Sequence, residues 1–157
     1  MRLFRTWEET KKVPQNGRLV WYTGAADVEF WTKESGNLKA VNLLRQARQG
    51  QYPHRALFHR FLPKDRPILD GGCSLGSVVL GLQTDGYETV GIDWSPQIVE
   101  KAKNIAPDLN IQVGDIFNIP YPDAYFGGYM SLGVVEHFWE GPDKALSEAN
   151  RVLSMSR

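Results

Sequence analysis

The chain of 157 residues has one cysteine, Cys73, which excludes an internal disulfide and a cysteine-based zinc site. A reducing compartment is the plain reading of that scarcity. It has no excess of charge: 18 Lys and Arg residues balance 18 Asp and Glu. That balance argues against a broad nucleic-acid surface or an anionic-membrane surface, either of which calls for a basic excess. The stretch from Met1 to Glu9 is interrupted by charges and lacks the apolar core of a signal peptide. Long hydrophobic runs are missing too; the least polar one, Phe126 to Val135, is about half what a membrane-spanning helix needs. There is no internal repeat and no low-complexity segment. The expectation is a soluble, cytoplasmic protein without membrane or nucleic-acid partners.

What is present is an ordinary globular composition, 42% hydrophobic and 23% charged. The length suits about one domain, able to bury roughly 70% of its unfolded surface. Residues 1–37 are irregular and aromatic-rich, with Trp7, Trp21, Tyr22, Phe30 and Trp31. Within them Arg18 to Thr23 reads as a short strand, and Ala25 to Lys33 as a helical turn or two. Leu38, Val41, Leu44 and Ala47 recur at helical spacing up to Arg48, and Gly50 is placed to end that helix. A second helix runs from Pro53, suited to a first turn, to Phe61, with Pro63 closing it.

From Pro67 onward strands and helices alternate. Strand Ile68 to Asp70 leads to helix Ser77 to Thr84, ended by Gly86. Strand Glu88 to Ile92 leads to helix Pro96 to Asn104, with Ser95 as N-cap. Strand Asn110 to Val113 follows Pro107. A turn at Tyr121-Pro122-Asp123 precedes strand Gly128 to Leu132, and Pro142 opens a last amphipathic helix. This order predicts an α/β fold: a Rossmann-like parallel sheet with right-handed crossovers and flanking helices.

In such a sheet ligands bind beyond the carboxyl ends of the strands. Four ends carry polar groups here: Asp70 with its Gly-rich turn, Asp93, Gly114-Asp115-Ile116, and Ser131 to His137. Asp93 lies 17 residues after Gly76 and is placed to accept hydrogen bonds from vicinal ribose hydroxyls; the alternative is an ordinary turn residue opening the next helix. Glycines at 71, 72 and 76 do not fit the G-x-G-x-x-G register of a dinucleotide site. Asp70 would also sit badly against a pyrophosphate, which leaves a dehydrogenase reading a distant third. The turn suits a nucleoside without phosphates.

Leu69-Asp70-Gly71-Gly72-Cys73-Ser74-Leu75-Gly76 resembles motif I of class I S-adenosylmethionine-dependent methyltransferases, written L-D-x-G-C-G-x-G. Gly91-Ile92-Asp93-Trp94-Ser95 resembles the acidic second motif, Val113 to Ile116 the third, Ser131 to Phe138 the fourth, and Glu148 to Leu153 the helix that follows. The likeness spans about residues 53–153 and is closest in style to small-molecule methyltransferases of metabolite and quinone biosynthesis. It implies S-adenosyl-L-methionine as cofactor, S-adenosyl-L-homocysteine as product, a small-molecule methyl acceptor and no metal. By resemblance, Gly71, Gly72, Cys73 and Gly76 pack along the methionine and ribose portion, and Asp70 helps hold the amino group. Asp93 binds the ribose hydroxyls and Trp94 lies against the adenine. Asp115 accepts from the adenine amino group beside the Ile116 backbone, and Ser131 and Leu132 offer carbonyls to the methionine ammonium.

Two positions depart from the family pattern: Ser74 replaces its middle glycine, and Gly127 replaces an acidic residue often found after Phe126. His137 is the candidate catalytic base; the competing reading has Glu136-His137 capping the strand end, since holding nucleophile, methyl and sulfur in line supplies much of the rate. Cys73 reads as a small packing residue rather than a nucleophile. His54 and His59 read as surface or packing residues. Residues 1–52 form an aromatic-rich segment and helix that could close as a lid, or cover the sheet; residues 53–157 form the cofactor-binding domain. Family members continue past the equivalent of Leu153 with Lys-Pro-Gly-Gly and three more strands of a seven-stranded sheet. The expectation here is a fold lacking those last strands, its fourth strand left as an edge covered by Leu19 to Thr23 or by a second copy in a homodimer. Two functions follow: a methyltransferase, or a truncated, non-catalytic module that binds the cofactor.

Overall fold

A computed structural model describes residues 11–15, 17–22, 37–138 and 141–154. Strands β1 (Lys11–Gln15) and β2 (Arg18–Tyr22) pair antiparallel in a two-stranded sheet of their own, from Lys11 opposite Tyr22 to Gln15 opposite Arg18. Of the Leu19 to Thr23 run, which the sequence offered as one possible cover for the sheet edge, the described residues 19–22 pair with β1 and add no strand to the main sheet; Thr23 lies outside the described residues. Strand β1 escaped the sequence reading because Lys11, Lys12 and Pro14 carry little strand signal. The expected turn at 25–33 lies outside the described residues.

Helix α1 (Asn37–Arg48) turns Ala40, Leu44 and Ala47 inward and leaves Val41 at its edge. Gly50, at φ +75°, ends it and donates to the Ala47 carbonyl at 3.0 Å. Helix α2 (Arg55–Phe61) starts two residues later than expected, after His54 at φ +58°, so Pro53 lies outside it. It buries Phe58 and exposes Leu57 and Phe61.

The main sheet has the order β5-β4-β3-β6, with every pairing parallel. Its strands are β3 (Ile68–Gly71), β4 (Thr89–Asp93), β5 (Ile111–Val113) and β6 (Gly128–Met130). Helix α3 (Ser77–Thr84) follows β3, α4 (Pro96–Ile105) follows β4, and α5 (Asp143–Val152) follows β6. Ser95 caps α4, its Oγ accepting from the Ile98 N–H at 3.3 Å, with Pro96 at the first helical position.

Strand alternation splits the core between two faces. Ile68 joins Val79, Leu80, Ile98, Ala102, Ile111 and Met130 on the face covered by α1, α3 and α4. Leu69 joins Val90, Ile92, Ile116, Phe126, Ala145 and Val152 on the other. Fully buried side chains of this kind contribute about 1.5–3 kcal/mol each. The edge beside β6 is not bare where the chain enters it. Phe126 donates to the Val152 carbonyl at 3.0 Å and accepts from the Ser154 N–H at 2.8 Å, so the segment leaving α5 lies parallel to it.

Candidate functional site

The turn after β3 is pinned by its neighbour strand: the N–H groups of Gly72 and Cys73 both donate to the Ile92 carbonyl, at 2.8 and 3.0 Å. Gly72, Ser74 and Gly76 take φ of +82°, +51° and +71°. Ser74 thus holds the left-handed conformation that a glycine adopts freely, and its N–H donates to Asp93 Oδ2 at 2.8 Å. Asp93 Oδ1 accepts from the Ser95 N–H at 3.0 Å, so one carboxylate ties the turn to the start of α4. Each oxygen keeps a further lone-pair direction.

Glycine is demanded here by the protein's own side chains. A Cβ on Gly71 would stand 2.4 Å from the Tyr129 hydroxyl, and one on Gly72 2.5 Å from Val134 Cγ2. Tyr129 and Val134 are the neighbours that sequence reasoning missed. The only available signal for Tyr129 is register, since it stands opposite Leu69 in the β3–β6 pair, one step before the site.

Asp70 is 4% exposed and Asp93 6%. Neither forms an ion pair with a described residue, and Asp70 accepts no hydrogen bond from one. Burial, and then the nearby Asp93 charge, push the Asp70 carboxyl up to about 7. Burial also raises Asp93, against the two N–H groups that hold its charged form. Cys73 is buried, with its thiol pushed well up by burial and by both carboxylates, which disfavours thiolate chemistry. Ser131 donates from Oγ to the Gly71 carbonyl at 2.9 Å, joining the end of β6 to the turn.

The structure therefore gathers Asp70, Gly71, Gly72, Cys73, Gly76, Asp93 and Ser131 at adjoining strand ends. Trp94 and Leu132 stand exposed directly after β4 and β6, at 53% and 44%. Asp115 is exposed and spends Oδ1 on the Phe117 N–H at 2.8 Å. The Ile116 side chain is buried in the core of the second face. His137 ends a 3-10 turn, Val135–His137, in which Val135 packs against the second face's core while Glu136 and His137 are exposed. Gly127 has a local reason as well: a Cβ there would meet Arg66 Cβ at 2.6 Å, where the chain crosses the segment before β3.

Residues 69–155 match a family profile described as a methyltransferase domain. The chain belongs to the class I S-adenosylmethionine-dependent methyltransferases. Among curated relatives, it is 34% identical over 92 residues to 2-methyl-6-phytyl-1,4-hydroquinone methyltransferase 1 of Oryza sativa subsp. japonica, covering 56% of this chain and 28% of the relative. It is 33% identical over 113 residues to tRNA (carboxymethyluridine(34)-5-O)-methyltransferase of Saccharomyces cerevisiae, covering 69% of this chain and 39% of that protein. A SAM-dependent methyltransferase structure from Methanosarcina mazei superposes with a TM-score of 0.55 and 27% identity, over 65% of this chain and 52% of the other. The chain thus spans well under two thirds of each relative's length.

Methyltransferases of this family use S-adenosylmethionine and release S-adenosylhomocysteine. The donor set fits that group. Two buried carboxylates without a cationic partner among the described residues suit a ligand bringing positive charge and hydroxyl donors, and would repel a phosphate. Among the described residues no helix is long and apolar enough to cross a membrane, and no His, Cys, Asp and Glu grouping could hold a metal ion.

Proposed function

We propose that this methyltransferase domain holds S-adenosylmethionine at the carboxyl ends of β3, β4, β5 and β6 and serves in-line methyl transfer to a small-molecule acceptor. The observation that carries the reading is the Asp70–Asp93 pair, buried at adjacent strand ends without a described cation as partner, beside a turn with three left-handed residues. When bound, the cofactor supplies a methyl group on a positively charged sulfur, so an acceptor lone pair displaces a neutral thioether. The chain binds, orients and excludes water. Asp70 and the carbonyls of Ser131 and Leu132 hold the amino group, while Gly71, Gly72, Cys73 and Gly76 form the floor. Asp93 accepts from the ribose hydroxyls with the lone pairs its backbone bonds leave free. Trp94 covers one adenine face, and Asp115 and the Ile116 backbone meet the adenine edge. His137 is the group available to take a proton from the acceptor.

Calorimetry with S-adenosylmethionine and S-adenosylhomocysteine tests the site: micromolar binding is expected, and no binding at high micromolar ligand defeats it. Asp93→Ala should weaken binding by about 1–3 kcal/mol, and unchanged affinity refutes the ribose role. Binding without turnover across an acceptor panel would leave a cofactor-binding module. A second acceptor class is favoured by one observation, the tRNA methyltransferase relative, which matches 69% of this chain. The panel therefore includes RNA; methyl incorporation there and not into small phenols or amines would decide for it.

A further inference from the structure

The strand ends hold acids, and no described cation pairs with them. The β3 strand presents Asp70, the following turn Cys73, the end of β4 Asp93, and β6 the phenol of Tyr129, whose hydroxyl is buried without a hydrogen-bond partner. Helix α3, packed behind the turn, has no ionisable side chain. Nearby along the chain Glu136 and His137 are both exposed on the loop that follows β6. Of these groups Asp93 alone has backbone donors, from Ser74 and Ser95. Asp70 is buried, accepts no hydrogen bond from a described residue, and lies one strand away from the buried Asp93.

Two carboxylates buried at the ends of adjacent paired strands oppose each other's ionisation while no counter-charge is bound. Burial and this mutual opposition both favour a proton on the pair while no cation is bound. We propose that occupation by the cationic cofactor expels this proton, so that cofactor affinity rises with pH through the neutral range. The inference rests on the cofactor site proposed above and adds a proton to its binding equation. The O–H bond of the protonated carboxyl breaks, its electron pair stays on the carboxylate, and the proton passes to buffer; no bond in the cofactor changes. Burial and the Asp93 charge place the titration of Asp70 near 7, within the working range.

The test is calorimetry of S-adenosylmethionine with the whole chain in two buffers of different ionisation enthalpy, at pH 6 and pH 7. The expected result is release of about 0.9 proton at pH 6 and about 0.5 at pH 7, with affinity rising about fivefold between them. Binding with no proton exchange at pH 6 overturns the inference while leaving the site intact; no binding at either pH fails the site itself. His137→Gln should keep the release and Asp70→Asn should lose it, and the opposite pattern assigns the proton to the histidine and overturns the proposal. Should Asp70→Asn fail to bind, potentiometric titration of the two empty proteins decides. One fewer group titrating between pH 6 and 8 in the variant supports the proposal, and identical curves overturn it.

Discussion

Asp93 and Ser74 are joined across two strands: the Ser74 N–H donates 2.8 Å to Asp93 Oδ2, while Oδ1 takes the Ser95 N–H at 3.0 Å. A residue expected from sequence to serve a ligand thus also fixes the cradle in the ligand's absence. Asp93→Asn should cost the ligand-free protein about 1–3 kcal/mol, because one of the two N–H donors, the part-buried Ser74 or the buried Ser95, then faces an amide NH₂. Urea denaturation without ligand measures this. An unchanged midpoint would show that the turn holds itself, and any binding loss in Asp93→Ala would then report direct contact alone.

Ser74 at φ +51° occupies the position where the family carries glycine. Ser74→Gly removes strain of about 1 kcal/mol and adds a similar unfolded-state entropy, so stability should stay level or rise by up to about 1 kcal/mol. Ser74→Val, β-branched and left-handed, should lose about 2 kcal/mol. Chemical denaturation of the pair checks the contrast, and equal stabilities would mean that the turn relaxes to another conformation.

The crossover pattern was legible because each element announced itself locally: Ser95-Pro96 opens α4, and the helix predicted from Ser77 to Thr84 forms over those residues. The strand-end acids were legible for the same reason, since a parallel sheet must bring those ends together. What the sequence hid depends on contacts between distant segments. Asp85 gathers the Tyr52 hydroxyl, both arms of Arg55 at 2.8 and 2.9 Å, and His59 at 2.7 Å, tying α2 to the end of α3. The Arg55 guanidinium holds the Asp85 carboxyl well below its ordinary range. His59, read as a surface or packing residue, belongs to that network. Arg151 likewise reaches the Ile119 and Tyr121 carbonyls at 2.9 Å, fastening the loop before β6 to α5. No periodicity or turn signal encodes such partners.

Gly72 combines a left-handed φ with a side chain where its Cβ would go, and the two causes are separable. Gly72→Ala should lose about 2–4 kcal/mol, the sum of backbone strain and the clash with Val134. Adding Val134→Ala removes the clash but not the strain, so the double variant should recover part of the loss beyond additivity. A double-mutant cycle in urea reads the coupling. Strict additivity would mean that Val134 moves aside without cost.

The buried Asp70 gives the empty protein a stability profile whose sign runs opposite to that of most carboxylates. Its native titration near 7 lies above the 3.8 of an exposed carboxyl, so the folded state holds the proton more tightly than the unfolded chain. The contribution to stability is therefore full below about pH 4, declines as pH rises toward 7, and levels off above it, a loss of up to about 4 kcal/mol. Asp70→Asn keeps the shape of the neutral acid and cannot ionise. It should match wild type near pH 3 and exceed it at pH 8, by urea denaturation without ligand. A difference that stays constant across that range would place the Asp70 charge in water and remove the reason for the profile.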